Sequence, residues 1–144
     1  MKTIKFLAVL LIAMAALNLM SCKKDKETTG NSPCSGFFKN NHPSESFWAV
    51  SVGGNTFSAH FTKDQAYNVV VESNGNITIK TNTADIVFNG TTDITDCKDE
   101  GHEYNVFYEN TVSGIKLIFQ KEGSNYTLAL RMTDDSSDFA TLKL

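Results

Sequence analysis

Residues 114–132 read GIKLIFQKEGSNYTLALRM, and this stretch determines how the chain folds. Apolar and polar residues alternate on both sides of Gly123, which is the pattern of two strands that each bury one face. A two-residue loop at Glu122-Gly123 joins the strands into a predicted hairpin. Its three facing apolar pairs are Phe119 with Tyr126, Leu117 with Leu128, and Ile115 with Leu130.

The same alternation lies on either side of Ser73-Asn74-Gly75. A two-residue Asn-Gly loop would place Val71 opposite Thr78 and would mix the two faces of the hairpin, which strand register disfavours. A three-residue loop with Gly75 in the left-handed conformation instead places Val71 opposite Ile77, and the faces separate cleanly. We therefore predict the three-residue loop, with Val69 opposite Ile79.

Residues 47–61 predict a further hairpin. Gly54-Asn55 stands between two alternating segments, and glycine at the first central position suits a type II′ turn. The predicted facing pairs are Val52 with Phe57, Val50 with Ala59, and Trp48 with Phe61. This register places Trp48 on the inner face of the sheet.

Further strands are predicted at residues 84–89, 103–109 and 139–144, and residues 90–101 are predicted to be a long polar loop. The prediction is thus an all-β domain, an antiparallel meander of about eight or nine short strands that forms a small barrel or a sandwich. As a barrel, its shape would be similar to that of the lipocalins, and Phe47-Trp48 resembles the early tryptophan of that family. The glycine that the family places two residues before this tryptophan is missing, so the resemblance does not imply membership.

The N-terminus has a basic start at Lys2 and Lys5, an apolar run over residues 6–19, and the sequence Leu19-Met20-Ser21-Cys22. The run of about fourteen residues is shorter than the roughly twenty that a membrane helix needs. These features resemble the signal peptide and lipobox of bacterial lipoproteins, with Met20 as the one departure. The resemblance implies cleavage before Cys22, lipidation of Cys22 and a firm membrane anchor. An ordinary secretory signal with a chance cysteine is the alternative.

The predicted organisation follows from this resemblance: a cleaved signal peptide over residues 1–21, a lipidated Cys22 with a flexible tether over residues 22–46, and a single β domain over residues 47–144. Lys23 stands where an aspartate would resemble an inner-membrane retention signal, so the predicted location is the outer membrane of the cell envelope. The charged residues that follow resemble the surface-export signals of Bacteroidota lipoproteins. Whether the domain faces the periplasm or the medium stays open.

The chain is acidic, with a formal net charge of −3 over 144 residues. Removal of Lys2 and Lys5 with the signal peptide makes the remainder more acidic, and Arg131 is the only arginine. Nucleic acids and anionic headgroups need clustered basic residues, so we expect no nucleic-acid partner. The expected partners are the membrane, through the lipid, and a protein, a glycan or a small apolar ligand.

Apart from Cys22, the chain has two cysteines, Cys34 and Cys97. Thiols oxidise outside the cytoplasm, which predicts a disulfide between these two residues. Such a bond would tie the tether to the domain. Two buried thiols, or a reactive Cys97, are the alternatives.

Aromatic residues dominate the predicted inner faces. If the sheet closes, they would line an apolar cavity with tyrosine hydroxyls as polar groups, as in many small-ligand sites. If it does not, they form a packed core. The candidate ligand-lining residues are Trp48, Phe57, Phe61, Phe88, Tyr104, Tyr108, Phe119 and Tyr126. Phe107 and Val70 fall on the opposite face and mark either a partner patch or scattered surface residues.

No motif predicts catalysis, a metal or a cofactor. The acidic run over residues 93–103 lacks the ligand order of an EF-hand, so it is interpreted as a solvated loop rather than a Ca²⁺ site. Cys97 and His102 would make a nucleophile and base only if the thiol were free. The expected function is therefore non-catalytic binding by an envelope lipoprotein. A lipocalin-like carrier is the alternative, and an envelope hydrolase is a third hypothesis.

Overall fold

The structure is a computed structural model that describes residues 34–144. The predicted signal peptide, Cys22 and the first part of the tether lie outside the described residues. Nine antiparallel strands form one sheet that curls into a half-barrel, which confirms the predicted all-β fold. The elements are α1 (Ser35–Phe38), β1 (Ser44–Val52), the 3₁₀-helix η1 (Thr56–His60), β2 (Ala66–Val71), β3 (Ile77–Ile79), β4 (Ile86–Phe88), β5 (Ile94–Asp99), β6 (Glu103–Asn110), β7 (Ile115–Glu122), β8 (Asn125–Met132) and β9 (Asp138–Lys143).

The strand order is β4-β3-β2-β1-β9-β8-β7-β6-β5. β1 and β9 pair with each other, as a closing meander requires, but the sheet stays open between β4 and β5. In an antiparallel sheet of nine strands the two edge strands run in the same direction. A parallel pair needs a crossover of about a dozen residues or more, and only residues 89–93 connect β4 to β5. The opening therefore follows from an odd number of strands and a short connection.

The β7–β8 hairpin forms, but its predicted register is wrong by two residues. Leu117 lies opposite Leu130, and Glu122 lies opposite Asn125, so the loop is Gly123-Ser124. Gly123 has φ +59°, as the first central position of a type II′ loop requires, whereas the predicted loop would have put a glutamate there. A shift of two residues keeps every side chain on its predicted face.

The predicted β2–β3 hairpin is confirmed in register and in loop length. Val69 lies opposite Ile79 and Val71 opposite Ile77, and Gly75 has φ +87°. Gly75 also needs to lack a side chain, because a Cβ there would lie 3.1 Å from the ring of Phe38. Both the conformation and the close approach therefore select glycine at this position.

The predicted hairpin at residues 47–61 is wrong. Residues 53–65 connect β1 to β2 through η1, and Asn55 caps η1 by accepting a hydrogen bond from the backbone N–H of Phe57 at 2.8 Å. The antiparallel partners of β1 are β2 and β9. In this arrangement Phe47 and Ala49 point into the core with no exposed surface, and Trp48 points outward with 54% of its surface exposed.

The polar stretch over residues 90–101 is not a loop throughout, since β5 occupies residues 94–99. This strand pairs with β6 along its length and has a bulge between Ile94 and Asp96. Only Ile94 of β5 is buried, so its sequence lacks the apolar alternation that identifies the other strands. The non-local pairing with β6 is what makes it a strand.

The ordered domain begins before Phe47. Residues 34–46, which the sequence assigns to the tether, contain α1 and the start of β1. Phe38 has no exposed surface, and its ring lies 5.7 Å from that of Phe119. The predicted disulfide between Cys34 and Cys97 is present and fastens α1 to the edge strand β5.

The core lies on the concave side of the curled sheet. Its buried residues come from every strand, with α1 covering one end and η1 packing near the start of β9. No helix in residues 34–144 is long and apolar enough to cross a bilayer.

Candidate functional site

The aromatic residues predicted to line a cavity pack mainly against one another. At the end covered by α1, the ring of Phe119 lies 5.7 Å from those of Phe38 and Tyr126. Phe37 stacks on Tyr104 with ring centroids 4.1 Å apart. These contacts hold α1 on the sheet, so this group of rings belongs to the core.

A second group of aromatic rings lies beneath η1. The ring of Phe61 is 5.2 Å from that of Tyr67 and 6.3 Å from that of Phe139. Phe57, in η1, lies 6.1 Å from Phe139 and is half-buried. Side chains thus occupy both ends of the concave side.

Phe88 and Tyr108 pack together near the opening between β4 and β5, with ring centroids 5.8 Å apart. The Tyr108 hydroxyl donates a hydrogen bond to the carbonyl oxygen of Gly75 at 2.7 Å. Burial raises the pKa of Tyr108, and the nearby negative charge of Asp93 adds to the effect. Burial also raises the pKa of Tyr104 and that of Tyr126. All three tyrosines are neutral at physiological pH; Tyr108 is buried in the core, and Tyr104 and Tyr126 are partly buried against it.

Trp48 is the candidate residue that the structure does not bring to the others. It lies on the outer face of β1, opposite Ala66 of β2 and Lys143 of β9. The sequence predicts an inner position for Trp48 because Phe47 and Trp48 are adjacent, and the alternation of inward and outward side chains fits with either residue facing inward. The prediction that Trp48 shares an inner face with Phe57 and Phe61 is therefore wrong.

A surface groove of about 260 Å³ crosses the outer face of β5, β6, β7 and β8. We call it the β5–β8 groove. Its apolar floor includes Phe107 and Ile118, which face each other across β6 and β7. The sequence predicts that Phe107 lies on the outer face, and the structure confirms that orientation. Both side chains are half-buried, so the floor is held in place by its neighbours.

Charged side chains border this floor on two sides. On one side Glu109, Lys116, Arg131 and Asp138 lie directly opposite one another on β6, β7, β8 and β9. The order across the sheet is acid, base, base, acid. Lys116 Nζ lies 3.8 Å from Glu109 Oε2, and Arg131 Nη2 lies 2.9 Å from Asp138 Oδ1. Each cation in the row therefore has a carboxylate beside it.

On the other side of the floor, Asp96 and Lys98 project from β5. Their charged atoms are 4.0 Å apart. The ammonium group of Lys98 also lies 5.2 Å from the ring centroid of Phe107, which is cation–π distance. Three cations thus border the groove, and each has one carboxylate partner.

Two other surface depressions lack the arrangement of side chains found in the β5–β8 groove. One, of about 320 Å³, lies beside Tyr104, His102 and Lys121 at the β5–β6 and β7–β8 turns. The other, of about 170 Å³, lies between β4 and the β6–β7 turn and includes Ile86 and Ile115. Neither combines an apolar floor with a bordering row of paired charges.

The remaining candidates from the sequence do not assemble into a reactive site. Cys97 is bonded to Cys34, so it has no thiol to act as a nucleophile with His102. Within residues 34–144, no three His, Cys, Asp or Glu side chains are grouped as a metal ion would require. In the acidic turn after β8, hydrogen bonds from Ser137 lower the pKa of Asp135, and Asp138 pairs with Arg131.

Sequence reasoning missed the charged row of the groove. The signal was present, since Lys116, Ile118 and Gln120 are the outward positions of a strand whose other positions are apolar. What the sequence lacked was the register that aligns Lys116 with Glu109 and Arg131 on the neighbouring strands.

Comparison with known proteins finds no matching family model, no matching curated protein and no matching solved structure.

Proposed function

We propose that this chain is a lipid-anchored protein of the bacterial cell envelope, and that its β domain binds a partner on its outer surface without catalysing a reaction. The anchor rests on the lipobox resemblance at Leu19-Met20-Ser21-Cys22. The outer membrane is the proposed location. The proposed binding role is supported by the surface of the β domain.

The observation that supports surface binding is the distribution of side chains between the two faces of the sheet. The concave side, where a carrier would hold its ligand, is occupied by aromatic rings in mutual contact. The outer face carries the β5–β8 groove, with an apolar floor and paired charges. Ligand sites are concave surfaces with an apolar lining and a few placed polar groups, and the groove has this composition.

One preparation of the mature protein serves to test both the lipid anchor and the binding mode. The full chain is expressed with its own signal in a bacterial host, and the mature protein is purified in detergent. We expect mass spectrometry of its N-terminal peptide to show Cys22 with attached acyl chains. A Cys22→Ala variant should lack this modification and partition into the aqueous phase.

Native mass spectrometry of the mature protein then separates surface binding from a carrier role. We expect the mass of the lipidated chain alone. A small molecule that stays bound in the folded protein and leaves on unfolding would contradict the proposal and would favour a carrier. An unmodified Cys22 in the wild-type protein would contradict the anchor.

A further inference from the structure

We propose that the β5–β8 groove binds a neutral saccharide. This inference rests on the proposed function, since it requires binding at the outer face, and it names the class of ligand.

The charge balance disfavours a charged ligand. Lys98, Lys116 and Arg131 border the groove, and each lies within 4.0 Å of a carboxylate. An anionic ligand would meet cations that each have a carboxylate beside them, and a cationic ligand would meet carboxylates that each have a cation beside them. The three cations and their three carboxylate partners, one of which is Asp138 just outside the groove, carry no net formal charge, so a charged ligand meets no complementary excess. A neutral ligand is therefore the better match.

The polar groups of the groove suit hydroxyl groups. A hydroxyl both donates and accepts, so it can accept from an ammonium or guanidinium group and donate to a carboxylate. Glu109, Lys116 and Arg131 stand side by side on adjacent strands, at the inter-strand spacing of about 4.8 Å. A saccharide lying across the strands would meet acceptor and donor groups in turn. Hydrogen bonds to charged groups are the stronger kind, although the ligand itself is uncharged.

The side chains of the row are also held in place. Glu109 and Lys116 are each 36% exposed, and Arg131 is 28% exposed. Lys116 Nζ additionally donates to the carbonyl oxygen of Thr133 at 3.3 Å. Side chains that are already ordered lose little conformational entropy when a ligand binds.

The floor suits the C–H face of a sugar ring. Phe107 and Ile118 offer an apolar surface between the two charged borders. The face of an aromatic ring carries partial negative charge and attracts groups with partial positive charge, among them the C–H groups beside ring oxygens. Lys98 now lies over Phe107 for the same reason. Its side chain is 55% exposed, so a sugar ring can displace it at small cost.

The test uses the mature lipidated protein in detergent micelles and isothermal titration calorimetry. The neutral probes are maltohexaose, cellohexaose, laminarihexaose and mannohexaose, and the charged probes are oligogalacturonate and a hexaglutamate peptide. We expect at least one neutral probe to bind and both charged probes to fail. The double variant Glu109→Gln/Lys116→Gln keeps the net charge and removes one ion pair. It should weaken binding by about tenfold or more, as expected when charge-assisted hydrogen bonds are lost.

Trp48→Ala is the matched control, because Trp48 is an exposed aromatic residue of the same outer face that lies outside the groove. It should leave the affinity unchanged, whereas Phe107→Leu should weaken it. Thermal unfolding by circular dichroism shows that each variant is folded before it is titrated.

Four results would overturn the inference: binding of the charged probes only, unchanged binding by the double variant, loss of binding in Trp48→Ala, or no binding of any neutral probe. In the last case native mass spectrometry still decides the proposed function independently. A folded protein without an internal ligand would keep the surface-binding role while the saccharide is rejected.

Discussion

Replacement of Phe38 by alanine tests whether α1 is part of the folded core or of the tether. The side chain has no exposed surface, and its ring lies 5.1 Å from that of Phe37 and 5.7 Å from that of Phe119. It also lies against Gly75, which has no side chain that could fill the space. The substitution removes these contacts and leaves a cavity the size of a ring.

The expected loss in the free energy of unfolding is about 3–5 kcal/mol, the range for Phe→Ala at fully buried sites. The upper part of this range is expected, because the disulfide at Cys34 holds α1 in place and limits collapse around the cavity. For a domain of this size the loss corresponds to a decrease in Tm of about 10–25 °C.

Equilibrium unfolding in urea, followed by far-ultraviolet circular dichroism, measures the effect with the disulfide intact. Trp48 is a poor fluorescence probe, because it is already 54% exposed in the folded protein. Lys39→Ala changes the adjacent exposed residue and should alter stability by less than about 0.5 kcal/mol. A tether would tolerate both substitutions equally. If Phe38→Ala were as stable as Lys39→Ala, the docking of α1 on the sheet would be refuted.

Three further outcomes are expected from the structure. The disulfide closes a loop with a sequence separation of 63, so a Cys34→Ala/Cys97→Ala double variant should lose about 4 kcal/mol in urea unfolding, and a loss below about 1 kcal/mol would argue against that constraint. Gly90→Ala would place a Cβ 2.4 Å from the carbonyl oxygen of Asn74, so its Tm should decrease by several degrees, and an unchanged Tm would contradict this close approach. The raised pKa of Tyr108 keeps the folded state protonated where the unfolded chain, with a tyrosine pKa near 10.0, ionises. The contribution of Tyr108 to stability should therefore be fully present below about pH 10 and be lost above it, and a Tyr108→Phe variant whose stability falls as steeply as that of the wild type would show that Tyr108 is not responsible.

Local patterns in the sequence predicted the elements that depend on neighbours along the chain. The β2–β3 hairpin is the clearest case, because only a left-handed Gly75 lets both strands keep their apolar residues on one side. For β7 and β8 the alternation predicted which side chains share a face of the hairpin. It did not predict which residues lie opposite each other, because registers two residues apart bury the same side chains. The conformation that Gly123 can adopt selects between them.

Where a segment depends on partners far away in the chain, local patterns were not sufficient. β1 pairs with β9, and this long-range ladder turns Phe47 inward and Trp48 outward, although either residue fits the alternation. β5 has a polar sequence and is a strand because β6 lies beside it. The same limit applies to the β5–β8 groove, whose charged row exists only in the register of four strands.

The sequence by itself determined the all-β class, the positions of most strands and the outward orientation of Phe107, and it predicted the disulfide between Cys34 and Cys97. Each of these follows from the alternation of side chains, from the conformational demands of glycine or from the number of thiols. Only the tertiary structure decided that α1 packs into the core, that Trp48 faces solvent and that the sheet opens between β4 and β5. The physical reason is that a period of two fixes which residues share a face, whereas the burial of that face depends on strands brought together from opposite ends of the chain.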